Sequence, residues 1–279
     1  MPRLRAKHRT ELRYAGPTGE SVNELRMTPR DGEHQHVLEA ATMIEPAAET
    51  FASTDAFGNT VLWFQLTESH ERMVVESTAI VDVMAVAARG DGQWGDLADP
   101  AFIDRWAEFL TPSRFIRWTA PVAALAADLG LPANGSVGDW LTALEQGVNG
   151  AIAYTPGATT VDTPVEEVVH ARRGVCQDMA HLAIAICRHR GVPARYVSGW
   201  LHQPGHDGPA ESHAWLEAQV GDAGWVEIDP THPGMSPDYV RIGIGRDYAD
   251  VPPIRGSYVG PATTDLIVSV EVVEMEGAE

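Results

Sequence analysis

A chain of 279 residues, 44 % hydrophobic and 21 % charged, is long enough for about two globular domains with sizeable cores. Twenty basic residues against 39 acidic ones leave a net charge of −19, a surface that repels nucleic acid phosphates and anionic lipid and argues against both as partners. No apolar run approaches the roughly 20 residues that cross a bilayer, and Met1-Pro2-Arg3-Leu4-Arg5-Ala6-Lys7-His8 has no apolar stretch after it, so no secretory signal is read and a cytoplasmic protein is expected.

Residues 8 to about 88 carry strand patterns. Val61-Leu62-Trp63-Phe64-Gln65-Leu66 is a buried-strand run, and Val75, Ala79, Val81 and Val83 fall mostly on one face of a period-two pattern. Asp55-Ala56-Phe57-Gly58-Asn59 lies between two such runs, and its glycine and asparagine tolerate positive φ, so a tight turn is expected. Residues 1–90 are read as an antiparallel β-sandwich domain. Gly90-Asp91-Gly92-Gln93-Trp94-Gly95-Asp96 is a linker by composition.

Helical patterns follow at about 100–110, 120–129, 137–148 and 163–172, with Gly147 and Gly150 expected to end the third. The helix expected from about 175 to 190 differs from these. Met179, Ala180, Ala183, Ile184, Ile186 and Cys187 make most of its circumference apolar, the pattern of a buried helix, and Gly191-Val192-Pro193 stops it. Strands are expected at Ala194–Leu201, His213–Val220, Gly224–Ile228, Tyr239–Ile244 and Asp265–Met275, the last with Leu266, Val268, Val270 and Val272 on one face. Residues 91–279 are therefore read as an α+β domain, a central helix packed on an antiparallel sheet.

The two cysteines, Cys176 and Cys187, would lie about 16 Å apart along that helix, beyond the roughly 7 Å a disulfide spans, so both are expected as free thiols in a reducing compartment. Cys187, mid-helix, reads as a packing residue. Cys176 sits in the first turn, where the helix macrodipole favours an anion. His213 can take its proton and Asp229 can orient the imidazole, which together supply a nucleophile, a base and an orienter for acyl transfer. Asp178 is a like charge beside the thiol and opposes this unless it points away.

The geometry of His213 and Asp229 can be worked out from the hairpin between them. A three-residue loop at 221–223 pairs Val220 with Gly224 and places Asp229 opposite Trp215. His213 is then its diagonal neighbour on the same face, about 7–8 Å away. A plain four-residue loop would put the two on opposite faces, so a three-residue loop with a glycine bulge is expected.

Arg173-Gly174-Val175-Cys176-Gln177-Asp178, Gly191-Val192-Pro193-Ala194-Arg195-Tyr196-Val197-Ser198-Gly199-Trp200, Ser212-His213-Ala214-Trp215-Leu216-Glu217 and the run from Gly224-Trp225 to Asp229-Pro230 together resemble the bacterial transglutaminase-like superfamily, most strongly over about residues 150–235. Asn23 to Arg30 and Asp55 to Asn59 resemble the β-sandwich that precedes the core in that family, and Gly245 to Pro253 its C-terminal stretch. The resemblance implies a papain-like core, with Cys176 as nucleophile, His213 as general base and acid, and Asp229 as orienter. It also implies a thioester on Cys176 released by water or an amine.

No Asp-x-Asp-x-Asp-Gly loop indicates calcium, and no cofactor is expected. An exposed thioester in water hydrolyses unless water is excluded, so hydrolysis of a peptide or protein amide is favoured over crosslinking. The backbone N–H of Cys176 is one candidate oxyanion donor, and Gln177 or Tyr154 could supply a second.

A metal site drawn from His202, His206, His213 and Cys176 is the weaker reading, because His202-Gln203-Pro204-Gly205-His206 reads as a loop; residues 202–211 are expected as a flap beside the cleft. His170 and His181 read as structural or surface residues, Trp200, Trp215 and Trp225 as core, and Arg195 and Arg246 as ion-pair partners of the many acids. Two further readings stand beside the enzyme: a non-catalytic binding or scaffold protein on the same fold, and a zinc-dependent hydrolase.

Overall fold

The computed structural model describes residues 1–84, 92–202, 212–234 and 238–275. The first six strands are β1 (Arg3–Thr18), β2 (Ser21–Leu25), β3 (Gln35–Glu45), β4 (Thr50–Thr54), β5 (Thr60–Leu66) and β6 (His70–Val83). Alternation along β1 and β6 turns Leu4, Ala6, Tyr14, Met73, Val75, Ala79 and Val81 inward, each nearly inaccessible to solvent. At the turn before β5, the Asp55 carboxylate accepts the N–H groups of Phe57 and Asn59 at 3.0 and 2.9 Å, and Gly58 takes a φ of 77°, as the turn composition requires.

Short helices α1 (Trp94–Leu97) and α2 (Pro100–Arg105) come next, then α3 (Ala120–Asp128) and α4 (Val137–Ala151). The expected helix at 100–110 stops at Arg105 and continues only as a 3-10 turn at Ala107–Phe109. The expected stop in α4 is also corrected. The helix runs through Gly147 and Gly150 to Ala151, capped at its start by Ser136 and Asp139, because Gly147 packs against the Leu129 side chain and needs no turn there. Of the expected linker at 90–96, residues 90 and 91 lie outside the described residues, and Trp94 already begins α1.

β7 (Ala153–Tyr154), α5 (Val165–Ala171), β8 (Arg173–Gly174) and α6 (Cys176–Arg190) lead into the core sheet. α6 is buried on every side, as its apolar circumference requires, and ends at Gly191 with a φ of 87°. Arg188 in its last turn is buried too, and its guanidinium donates to the carbonyls of Thr111, Ala194 and Arg246. Strands β9 (Ala194–His202), β10 (Ser212–Gln219), β11 (Trp225–Ile228) and β12 (Asp238–Gly245) form an antiparallel sheet in the order β11-β10-β9-β12. Ala214, Leu216, Ala218 and Ile228 of this sheet share one core with α3–α6. Leu216 and Ile228, both fully buried, each contribute about 1.5–3 kcal/mol.

The last strands, β13 (Ile254–Tyr258) and β14 (Thr263–Glu274), depart from the sequence reading. The 265–275 segment was expected in the core's sheet. It instead pairs with β1, and β13 pairs with β2, so the chain returns to close both sheets of the sandwich, ordered β14-β1-β6-β3 and β13-β2-β5-β4. Period-two alternation identifies a strand but not its partner.

The inner face of β1 and β6 does two jobs along its length. One end packs on the second sandwich sheet through Tyr14, Leu25, Phe64, Met73 and Val75. The other end packs on the core sheet through Leu4, Ala6, Val81, Trp200, Val240 and Ile242. Between them lie buried polar residues His8, Thr10 and Ser77.

The outer edge of β12 would otherwise carry open backbone groups. Two amide side chains from the sandwich cover it. Gln35 accepts the N–H of Arg241 and donates to its carbonyl, both at 2.8 Å. Asn59 does the same for Ile244, at 2.9 and 2.8 Å.

Candidate active site

Gly174 and Asp178 set the position of the thiol. A Cβ on Gly174 would sit 2.7 Å from the Asp178 carboxylate, so only glycine leaves room for that side chain to fold back over the helix start. There Asp178 Oδ2 accepts the Val175 N–H at 2.8 Å and the Thr159 hydroxyl at 2.7 Å. Burial raises the Asp178 carboxyl above its ordinary range, against the pull of those two bonds, which mutes the like charge beside Cys176. Cys176 is then the first residue of α6, half-buried, with the N-terminal backbone amides around it.

The hairpin that carries the other two residues has the expected loop. Gly221–Ala223 forms a single 3-10 turn, the Val220 N–H donates to the Gly224 carbonyl at 2.9 Å, and Gly221 and Gly224 both have positive φ. The pairing Leu216 to Ile228 puts Asp229 one step beyond, opposite Trp215. His213 Nε2 meets Asp229 Oδ2 at 2.8 Å, and Cys176 stands beside the same imidazole, where it helps to raise it. With Nε2 held on the carboxylate, Nδ1 is the nitrogen that faces sulfur. Trp215 stacks on the imidazole with centroids 5.9 Å apart, and its ring reaches within 2.5 Å of where a Cβ on residue 199 would lie, so Gly199 leaves room for it.

Asp229 has more partners than the sequence suggested. Its Oδ2 also meets the Tyr239 hydroxyl at 2.7 Å and His232 Nδ1 at 3.1 Å, while Oδ1 accepts the Thr231 N–H at 2.9 Å. Its own N–H donates to Glu145 on α4 at 2.8 Å. Burial alone would raise the Asp229 carboxyl, but the bonds from His213, His232 and Tyr239 outweigh it and hold the group far below the carboxylate range. Burial also works to lower His213. The hydrogen bonds and negative charge supplied by Asp229 and Cys176 win, and the imidazole is pushed up to about 10. Glu145, His232 and Tyr239 escaped the sequence reading. His232 had a local signal, three residues after the aspartate; Glu145 and Tyr239 had none.

The thiol and imidazole open onto a cleft of about 530 Å³ that Tyr154 and Gln177 also line. Tyr154 is placed there by the short parallel pairing of β7 with β8, opposite Gly174. Gln177 donates its side-chain amide to the Val161 carbonyl at 3.0 Å. Four of the five site residues read from the sequence thus line one cleft, and the fifth, Asp229, is buried behind His213. His206 and the flap expected at 202–211 lie outside the described residues except His202, which meets Asp238 at 3.1 Å. His213, Asp229 and His232 present ligand-type atoms within 4.8 Å of one another, and an ion there would have to displace the hydrogen bonds that order them.

Arg195 and Arg246 are ion-pair residues, bound to Glu217 and Asp250 at 2.7 and 2.9 Å. Cys187 is fully buried, and burial pushes its thiol far up. Among the described residues no helix is long and apolar enough to cross a membrane.

Comparison with known proteins follows the same division. Residues 123–230 match the family model described as the transglutaminase-like superfamily, and residues 4–82 match the bacterial transglutaminase-like N-terminal region. The uncharacterized protein ML0607 of Mycobacterium leprae is 34 % identical over 99 % of this chain and 100 % of its own length. A protein-glutamine gamma-glutamyltransferase of Pseudomonas aeruginosa is 32 % identical over 103 residues, which are 33 % of this chain and 15 % of that protein. The crystal structure of a candidate cysteine protease from Cytophaga hutchinsonii superposes with a TM-score of 0.76 at 22 % identity, over 100 % of this chain and 93 % of that one, and so shares the fold.

Proposed function

We propose that this chain, which belongs to the transglutaminase-like superfamily, is a thiol acyl-transfer enzyme that cleaves peptide or protein amides through a thioester on Cys176, with water as the favoured acceptor. The observation that carries this reading is His213, bonded to Asp229 at 2.8 Å and sharing one cleft with Cys176 at the head of a helix. A packing histidine has no need of both partners.

In this reading His213 Nδ1 already holds the proton given up by Cys176, and Sγ attacks the amide carbonyl as a thiolate beside the imidazolium. As the C–N bond breaks, the imidazolium returns that proton to the leaving nitrogen, which departs as ammonia or an amine. Water then adds to the thioester and gives a proton to His213. The carbon–sulfur bond breaks, releasing the acid and restoring the thiolate–imidazolium pair. Asp229 keeps the ring oriented and its charge balanced. The Cys176 backbone N–H, with Gln177 or Tyr154, is the proposed oxyanion site.

Water is favoured because an exposed thioester hydrolyses by default. Transfer to an amine is the second reading, supported by the similarity to the Pseudomonas gamma-glutamyltransferase. Ammonia release from a glutamine peptide without uptake of a fluorescent primary amine supports hydrolysis; high-yield uptake of the amine overturns it. The proposed setting is the cytoplasm, consistent with two free thiols.

The reading is tested by iodoacetamide labelling across pH, mapped by mass, on wild type and His213→Ala. Fast labelling of Cys176 near pH 6 that is lost in the variant supports it. Labelling no faster than an ordinary exposed thiol sinks it, and a binding module on this fold takes its place.

A further inference from the structure

The cleft has two walls, and the second belongs to the sandwich. The core side is formed around Cys176, Gln177, Tyr196 and His213. Facing it are His8 and Thr10 of β1, with Leu266 and Val268 of β14. Those strands are adjacent in register, Thr10 opposite Val268 and Leu12 opposite Leu266, so the polar pair and the apolar pair form one continuous patch. Leu266 and Val268 are 62 % and 48 % exposed, although β14 is the edge of its sheet and such positions usually carry polar side chains. No Asp, Glu, Lys or Arg lines the cleft among the described residues. That is unexpected in a chain of net charge −19.

The hydrogen bonds on this wall have a direction. Trp200 Nε1–H can only donate, and it meets His8 Nδ1 at 3.0 Å. His8 is buried and, with burial pushing its imidazole down to about 4, neutral at pH 7, so its single proton lies on Nε2. His8 Nε2 is 3.4 Å from the Thr10 hydroxyl oxygen, which therefore accepts. Thr10 keeps its own proton to offer to an acceptor. This neutral donor, set among apolar side chains, suits a carbonyl oxygen. It offers nothing to balance a carboxylate or an ammonium group taken out of water.

We infer that the sandwich is the selectivity wall of the cleft, with Thr10 donating to a backbone or carboxamide carbonyl and Leu266 and Val268 packing on an uncharged, apolar residue of the acyl donor. The inference rests on the proposed acyl-transfer reading for what the cleft accepts. It assigns the N-terminal region a direct role in substrate choice.

Its test opposes the wall to the global field. Attraction by a net charge of −19 favours a cationic peptide; the neutral wall favours an apolar one. Binding of the N-acetyl, C-amide tripeptides leucyl-glutaminyl-leucine and lysyl-glutaminyl-lysine is measured on full-length Cys176→Ala protein by calorimetry at physiological salt. The expected result is at least tenfold tighter binding of the leucyl peptide. Thr10→Val should weaken it about tenfold, the size of one neutral hydrogen bond. Leu266→Lys, at an exposed position that the fold does not depend on, should weaken it similarly even if Thr10→Val perturbs folding. Equal or tighter binding of the lysyl peptide, no binding of either at millimolar concentration, or indifference to Leu266→Lys overturns the inference. Since binding is scored on protein lacking the thiol, an inert Cys176 in the labelling experiment would remove the acyl-transfer reading and leave this result to be judged alone.

Discussion

Asp229 and Glu217 are both buried carboxylates on the β10–β11 hairpin, and their neighbours differ in kind. Glu217 is held by two arginines, Arg195 Nε at 2.7 Å and Arg241 Nε at 2.8 Å, and Arg241 also pairs with Glu227. Arginine does not give up its proton, so that cluster is a fixed set of charges. Asp229 is held by His213, His232 and Tyr239, groups that can hold or release a proton. The first arrangement is suited to joining strands β9, β10, β11 and β12, the second to moving protons beside a thiol. Burial and charge alone would not tell them apart; the donors do.

The largest expected separation is in activity. Asp229→Asn should lower turnover by about 10⁴-fold while the protein still folds, because the amide cannot fix the imidazole tautomer or its charge. Steady-state rates on an amide substrate, beside a thermal melt, check this. Glu217→Gln should do the opposite. It leaves one buried guanidinium, Arg241, and one half-buried, Arg195, undercompensated and should cost about 3 kcal/mol in denaturant unfolding, with the labelling pH profile of Cys176 unchanged in the folded protein. A mutant pair in which both residues alter stability and chemistry alike would break the distinction.

Dependence on pH sharpens it. Burial raises the Glu217 carboxyl, but Arg195 and Arg241 outweigh burial and bring it down to about 2. Its stabilisation is therefore complete above the unfolded value near 4.5 and is lost as pH falls towards 2, with Asp229 adding to that acid loss. His213 is raised to about 10, so its stabilisation is complete below the unfolded value near 6.5 and is lost as pH rises through 10. Unfolding free energies measured from pH 2 to 10 should show the acid slope reduced in Glu217→Gln and the alkaline slope reduced in His213→Ala. The smallest effect is expected from Tyr239→Phe, which removes one of the bonds to Asp229 and should cost about 1 kcal/mol, read as a modest fall in rate.

How much of this could be read in advance follows from which interactions are local. The apolar circumference of α6 announced a buried helix, and the glycines at 221 and 224 fixed the loop that aligns His213 with Asp229. Glu145 and Tyr239 come to Asp229 from a separate helix and strand, and nothing in their own neighbourhoods pointed there. The partner of β14 was equally illegible, since its alternation suits any sheet with one buried face. Gln35 drew no reading and Asn59 was read only for its turn, and it is their pairing with Arg241 and Ile244 that makes them covers for a sheet edge. Gly147 of α4 misled for the opposite reason: a neighbouring side chain, Leu129, decided its role.

The most direct test of the central claim is the titration of His213 by nitrogen-resolved NMR, in wild type and in Asp229→Asn. The account predicts an imidazole that stays charged through neutrality, releases its proton towards pH 10, and falls well below that in the variant, where only Cys176 still opposes burial. An imidazole that titrates near 6.5 in both proteins would contradict it.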